Sequence, residues 1–481
     1  MSNRNLIQRS ISRRTMIGQG AAIGAGLAVA GAVGASASPS PSSPETGTRM
    51  QGLSGEITVS YPDTAGYKPK YVQQAADAVT AANPGAKVNV VKDESSDAYT
   101  KLLLALDSGD SPDVMHVGGG NMGELADAGY IHPLDDYIAQ WEDWQYYPES
   151  VRSGVTYNGH VYAIPYGLDT RFLFNRRDIL EKASLGADWQ PSNIAGIMDA
   201  AIAVKNTGID GVIPYALYAG VNGSGGTVEH AYLPLLLGYG GSLQDADGKW
   251  VVGGDPIVKV LQYYKDAYIT NQLVPSEVIT TTSPWTAMRQ NVGEGKLALL
   301  FEGGWVYGGY QQKDPAQLEN IGYLLHPTES AGPSFTIGGS GTCWYIGEKS
   351  GNKDLAWEFI KAFNTKEIVA NLNIEDPHPV ARTDSAELPE FQAVPYLVDC
   401  TTSLQRAVFT PVNASYAKVQ QAIQKVTGSI ATGEYEPEEG VQRLADEIKR
   451  AVGNDNVTDT PGPSPIPAGT PVASPVASPA S

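Results

Sequence analysis

Cysteine is almost absent from this chain: Cys343 and Cys400 are the only two among 481 residues. Two thiols cannot build a four-thiolate zinc site or a disulfide-rich scaffold, and they leave one pairing open. Bases are also in short supply, with 33 Lys and Arg against 52 Asp and Glu, a formal charge of −19. A surface of that sign repels phosphate backbones, so nucleic acid is excluded as a partner. Beyond residue 40 no stretch reaches the ~18 uninterrupted apolar residues that a membrane-spanning helix requires. The six histidines (116, 132, 160, 230, 326 and 378) show no H-x-x-x-H spacing, so no metal is expected. Catalytic motifs fail residue by residue. Gly295-Lys296 has Gln290 where a phosphate-binding loop needs glycine, and Leu297 follows the lysine. Asn222 and Thr342 interrupt the G-x-S-x-G pattern around Ser224 and Ser340. Acidic pairs such as Asp135-Asp136 carry no glycosidase signal without two carboxyls facing one cleft. Neither an enzyme nor a cofactor is expected.

What is present suffices for a large folded body. Apolar residues make up 42% and charged residues 18%, and at ~150 residues per domain the length allows two or three lobes. Arg4, Arg9, Arg13 and Arg14 precede a weakly apolar Ala/Gly-rich run, and no acid occurs before Glu45. With Ala35-Ser36-Ala37 as the exit, residues 1–37 read as a cleaved export signal, the alternative being an uncleaved anchor. Ser12-Arg13-Arg14-Thr15-Met16-Ile17 resembles the twin-arginine signal, with Met16 and Gly18 departing from its usual Phe and Lys. No cysteine follows for lipid attachment. The location implied is periplasmic or extracellular. Residues 38–55, rich in Ser, Pro, Gly and Thr, read as a flexible linker, and the Pro/Ala/Ser-rich stretch 453–481 as an extended disordered tail.

Between them the pattern alternates. Residues 56–60 have strand character, and 70–82 place Val72, Ala75, Ala76 and Val79 on one helical face. Residues 87–91 form a second strand. Tyr99, Leu102, Leu103 and Leu106 mark a second helix over 97–107, and 113–117 form a third strand before Gly118-Gly119-Gly120-Asn121. Such repetition predicts an α/β fold with parallel, doubly wound sheet, whose ligands sit beyond the carboxyl ends of the strands. Those ends are 61–63, 93–97 and 118–121.

Along about 330 residues the chain resembles the extracellular solute-binding proteins of ABC importers, in their carbohydrate-type, maltose-binding-protein-like cluster. The motifs that carry this include Gly109-Asp110-Ser111-Pro112-Asp113, Ala128-Gly129-Tyr130-Ile131-His132-Pro133-Leu134 and Gly159-His160-Val161-Tyr162-Ala163-Ile164-Pro165. They continue through Asp169-Thr170-Arg171-Phe172, Gly295-Lys296-Leu297-Ala298, Gly303-Gly304-Trp305, Ala356-Trp357-Glu358-Phe359 and His378-Pro379-Val380-Ala381-Arg382. Gly304 departs from the family's usual Asp, which leaves Glu302 as the nearby carboxylate. The resemblance implies two α/β lobes: lobe I from 55–165 and 345–378, lobe II from 170–335 and 385–452. Each would be a mainly parallel sheet flanked by helices. Crossings are expected at 164–169, 337–345 and 375–383, where Pro and Gly break regular structure and suit a hinge.

Tyrosine (25) and tryptophan (8) outnumber phenylalanine (8), and such rings offer a flat apolar face with a polar handle, which suits sugars. Tyr61, Tyr166, Tyr215, Trp285, Trp305 and Trp344 fall at strand ends, hinges or glycine-rich turns. Asp63, Asn121, Asp169, Glu229 and Glu302 are candidate acceptors for hydroxyls, and Arg382 a candidate donor. The expectation is a monomeric exported protein that captures a sugar or oligosaccharide between two lobes and hands it to an ABC permease. A cationic or peptide ligand such as a polyamine, which an acidic aromatic cleft also suits, remains an alternative. So does an extracellular carbohydrate-active enzyme.

Overall fold

The computed structural model describes residues 52–467 apart from Thr64, Ala65, Ser96 and Ala331. The export signal at 1–37, most of the linker and the end of the tail lie outside the described residues. β1 (Ser54–Pro62) alternates inward Ile57, Val59 and Tyr61 with outward neighbours, the period-2 signature of a strand with one buried face. It therefore starts inside the stretch read as linker. α1 (Pro69–Ala82) opens on a proline tolerated in the first turn and buries Val72, Ala75, Ala76 and Val79. β2 (Gly85–Asp93), α2 (Ala98–Ser108) and β3 (Val114–Gly118) follow. β1 pairs in parallel with β2 from Ser54↔Gly85 to Pro62↔Asp93, and with β3 at Val59↔Val114. This is the expected βαβ start of lobe I.

The chain then crosses. β4 (Ile164–Asp169) and β5 (Arg171–Arg176) are separated only by Thr170, so one nearly continuous extended run serves both lobes. In lobe II, β6 (Ile213–Ala216), β7 (Leu297–Gly303) and β8 (Ile321–Leu324) complete a sheet of order β8-β5-β7-β6. β6 and β7 are parallel, but β5 is antiparallel to both its neighbours. This sheet is mixed, not mainly parallel, because the crossing run enters lobe II against the direction of its other strands. Helices α3 (Trp285–Gly293) and α4 (Val306–Lys313) flank β7 in the chain.

β9 (Thr336–Ile346) returns through the hinge and pairs antiparallel with β3 and with β4. Its register with β4 shifts between Gly339 and Cys343. Gly341 sits there at φ +52, where a Cβ would stand 2.5 Å from the Gly167 carbonyl oxygen, so only glycine fits the crossing. A third pass is pinned by Leu168 N donating to Pro379 O (2.8 Å) and Ala381 N to Tyr166 O (3.3 Å). Helices α5 (Lys353–Phe363) and α6 (Lys366–Glu375) precede it, while α7 (Tyr416–Ala431) and the helix Pro437–Val452 pack as a pair farther on. All three expected crossings are present.

The C-terminal stretch departs from the expected tail. Val457–Thr458 pairs in parallel with Trp250–Val251, and Val252 N donates to Thr458 O at 2.9 Å. Pro463 and Pro465 then line a hollow of about 390 Å³ with Leu233, Leu237 and Phe409. Composition sees the prolines but not the strand edge and apolar surface that fix them.

Both cysteines are buried free thiols. Cys343 donates to Ser340 O at 3.2 Å. Burial pushes both thiols upward, Cys400 to about 12, which keeps them protonated and unreactive at neutral pH. We expect no alkylation of the native protein and two labels after unfolding without reductant. A pair that stays unlabelled in mass spectra of the unfolded chain would establish a disulfide instead.

Candidate functional site

Where β4 gives way to β5, Asp169 and Arg171 lie two residues apart on an extended chain and so point to the same side. The Arg171 side chain is buried, at 3% exposure, yet fully charged. Its Nη1 donates to Ile337 O (3.2 Å), and its Nη2 to Asp169 Oδ2 (3.4 Å) and to Glu229. Burial works against this charge, but Glu229 and then Asp169 outweigh it and raise the pKa. Glu229 also accepts from Gln420 Nε2 of α7 at 3.3 Å. The two carboxylates retain 21% and 23% exposure, so each keeps access to solvent while its orientation is fixed from behind. Asp169 rests over the hinge glycines: a Cβ on Gly339 would lie 3.3 Å from its Oδ2. Gly341 in turn lies against Gly118, beside Asn121 of lobe I.

Trp305 caps this cluster. The Arg171 guanidinium carbon lies 5.6 Å from its ring centre. The ring folds over Gly303, where a Cβ would sit 2.3 Å from it, and stacks on His378 of the third crossing at 5.6 Å and 12°. The half-buried tryptophan thus joins lobe II to the hinge.

On lobe I, Tyr61 and Asn121 line a hollow of about 630 Å³ together with Ser60, Tyr99, Lys101 and His116, at the carboxyl ends of β1 and β3. Asp63, just past β1, accepts from Gly66 N at 3.0 Å, and its buried Oδ2 has no partner among the described residues.

Other candidates fall elsewhere. Trp344 is 0% exposed and ringed by Phe363 (4.9 Å), His116 (5.2 Å) and Phe359 (5.4 Å), so it is core, not a stacking platform. Tyr166 is buried with its hydroxyl 2.8 Å from His116 Nε2. Tyr215 is buried in lobe II, edge-on to Tyr263. Glu302 has no exposed surface. It accepts from Gly303 N (2.8 Å), Arg289 Nε (2.9 Å) and Tyr218 (3.0 Å), with His230 Nδ1 at 2.7 Å. Burial pushes its pKa up, but the charges of His230 and Arg289 prevail and hold it far below the usual carboxylate range. Arg382 is an internal brace, bonded to Asp384 (2.7 and 2.9 Å) and to Asp143 (2.9 Å). Trp285 opens α3 and packs half-buried against the core. Sequence reasoning treated Arg171 only as a hinge partner of Asp169 and missed Gln420 and the His378 stack; the Asp-x-Arg spacing was the one available signal.

The arrangement presents two oriented carboxylates and an aromatic ring where two lobes meet around a three-pass hinge. The family model described as bacterial extracellular solute-binding protein matches residues 64–370. A maltotriose-binding protein of Pyrococcus abyssi is 21% identical over 347 residues, which cover 70% of this chain and 71% of that protein. A maltooligosaccharide ABC transporter solute-binding lipoprotein of Streptococcus pneumoniae is 24% identical over 312 residues, covering 63% and 67%. Among solved structures, an ABC transporter solute-binding protein of Thermotoga lettingae bound with α-D-tagatose superposes with a TM-score of 0.72 at 21% identity, covering 83% of this chain and all of that one. The matched span takes in most of the folded body, including β1 to β9 and the first two crossings, and the chain belongs to the bacterial extracellular solute-binding protein family.

Proposed function

We propose that the protein captures a neutral sugar or oligosaccharide between its lobes and delivers it to an ABC permease. The observation that carries this is the Asp169–Arg171–Glu229 cluster under Trp305. Carboxylates held by a buried guanidinium are strong, fixed acceptors for hydroxyl groups, and a tryptophan ring suits the C–H face of a pyranose. The named ligands of the relatives, maltotriose and maltooligosaccharide, support the same chemistry. The role is binding, not catalysis, and the carrier acts as a monomer. A thermal-shift screen against sugars and polyamines tests it, since a ligand that binds only the folded state raises its melting temperature. A sugar hit whose affinity is unchanged by salt is expected. A salt-sensitive polyamine hit would favour the cationic alternative. Export of the chain through Arg13-Arg14 belongs to the same proposal, and undiminished secretion after both are changed to Lys would refute it.

Trp305→Ala should weaken the sugar found by the screen by about 2 kcal/mol, roughly thirtyfold, because a stacking ring and the His378 contact are lost together. Calorimetric titration reads this directly. Unchanged affinity would remove Trp305 from the site.

A further inference from the structure

On the other side of Trp305 lies a larger hollow of about 880 Å³, within the usual size range of ligand pockets. Both lobes and the hinge build it. Tyr67 comes from lobe I, Arg289 from α3, Gly309 and Tyr310 from α4, and Asp376 and Pro377 from the third crossing. Across the lobes, Gln312 Nε2 of α4 donates to the Tyr67 hydroxyl at 2.8 Å, so the walls are already in register.

Three features of the lining point to a ligand. Arg289 spends only Nε, on Glu302 at 2.9 Å, and its two Nη groups have no hydrogen bond among the described residues. Gly309 is a helical residue on which an added Cβ would meet nothing within 4 Å. Glycine weakens a helix interior relative to alanine, so packing gives no reason for it, whereas close approach of a ligand to the backbone does. Its neighbour Gly308 has an ordinary packing reason, since a Cβ there would press on Pro377 at 2.7 Å. Finally, the lining charges balance: Arg289, Lys296 and Lys313 face Glu294, Asp314 and Asp376, and Glu294 is already bonded to Lys296 (2.9 Å) and Lys313 (3.1 Å). A site so composed selects for neither a cation nor an anion. It offers aromatic surface, free donors and bare backbone.

We propose that this hollow is a second subsite for an oligosaccharide, holding the sugar units beyond the one engaged by Asp169 and Glu229, with Trp305 as the shared wall between them. The inference rests on the sugar reading above and makes it more specific: the ligand has three or more units, and chain length is read by Tyr67, Arg289 and Gly309.

The test is calorimetric titration of the full chain with α-1,4-linked gluco-oligosaccharides and β-1,4-linked manno-oligosaccharides of one to six units. Within the series that binds, affinity should rise at least tenfold between two and four units. Gly309→Leu, which fills the hollow, and Tyr67→Ala, which removes a wall outside the core, should each abolish that rise. Both should leave the disaccharide affinity within twofold and the melting temperature close to that of the parent. Equal affinity at every length, or a rise that survives both variants, would overturn the second subsite while leaving sugar capture intact. Binding of neither series would overturn the sugar reading itself and the subsite with it. If Gly309→Leu lowers the melting temperature, Gly309→Ala and Tyr67→Ala decide the matter, since the first adds only a methyl group to open space.

Discussion

Trp344→Ala should destabilise the protein by about 3–5 kcal/mol and leave its ligand affinity within a factor of two. The indole is wholly enclosed, in edge contact with Phe359 and Phe363 of α5 and with His116 of β3. Its removal opens a cavity where the lobe I sheet meets its covering helix, and neighbours as large as two phenylalanines cannot collapse into it without leaving their rotamers. The indole N–H has no hydrogen-bond partner. Trp344→Phe, which keeps most of the ring contacts and deletes that orphan donor, should therefore cost much less than the alanine variant. Urea unfolding of the three proteins measures the order. Near-native stability of Trp344→Ala combined with lost sugar binding would return the residue to the cleft.

The contrast between Trp344 and Trp305 shows where the sequence stops being legible. Both tryptophans follow glycine-rich turns, and sequence alone treats them alike. What separates them is three-dimensional. Trp344 lies in a strand whose residues are buried on both faces over much of its length, so the alternation that reveals a surface strand is missing. Trp305 begins a helix at the lobe II edge, with only the hinge opposite. Periodicity was informative where one face meets solvent, as in β1 and α1, and the βαβ start of lobe I follows from it. Arg382 failed for a different reason: its partner Asp143 is remote in sequence, and no local pattern announces an internal brace. Glu302 failed similarly, since a carboxylate beside a glycine turn reads the same whether it faces a cleft or is neutralised by Arg289 and His230. The Asp169 and Glu229 assignments were legible as residue types. Their common anchor on Arg171 was not, because it joins positions 58 residues apart.

Removing that anchor is the second large effect. Arg171→Ala should lower stability by about 3 kcal/mol and sugar affinity by at least the roughly thirtyfold that corresponds to 2 kcal/mol. The stability figure is set at the low end of the range for breaking a buried ion pair, because Asp169 and Glu229 keep a fifth of their surface in water and recover part of their hydration. The loss has two sources. Two carboxylates are left facing each other without a counter-charge, and the Ile337 carbonyl at the hinge loses its donor. The affinity loss has a third source: Trp305 no longer rests on a guanidinium, and both acceptors are free to turn away from the ligand. Lysine does not rescue the site, since one ammonium cannot reproduce the fork that holds both carboxylates and the carbonyl. Glu229→Gln is the matched control. It keeps the shape and the Gln420 contact while removing one negative charge, so it should retain most of the stability yet weaken binding through the loss of a charge-assisted hydrogen bond, about tenfold. Thermal unfolding and titration of the three variants separate the outcomes. Parental stability in Arg171→Ala would show that the carboxylates do not depend on it, and parental affinity in both Arg171→Ala and Glu229→Gln would place the ligand away from this cluster.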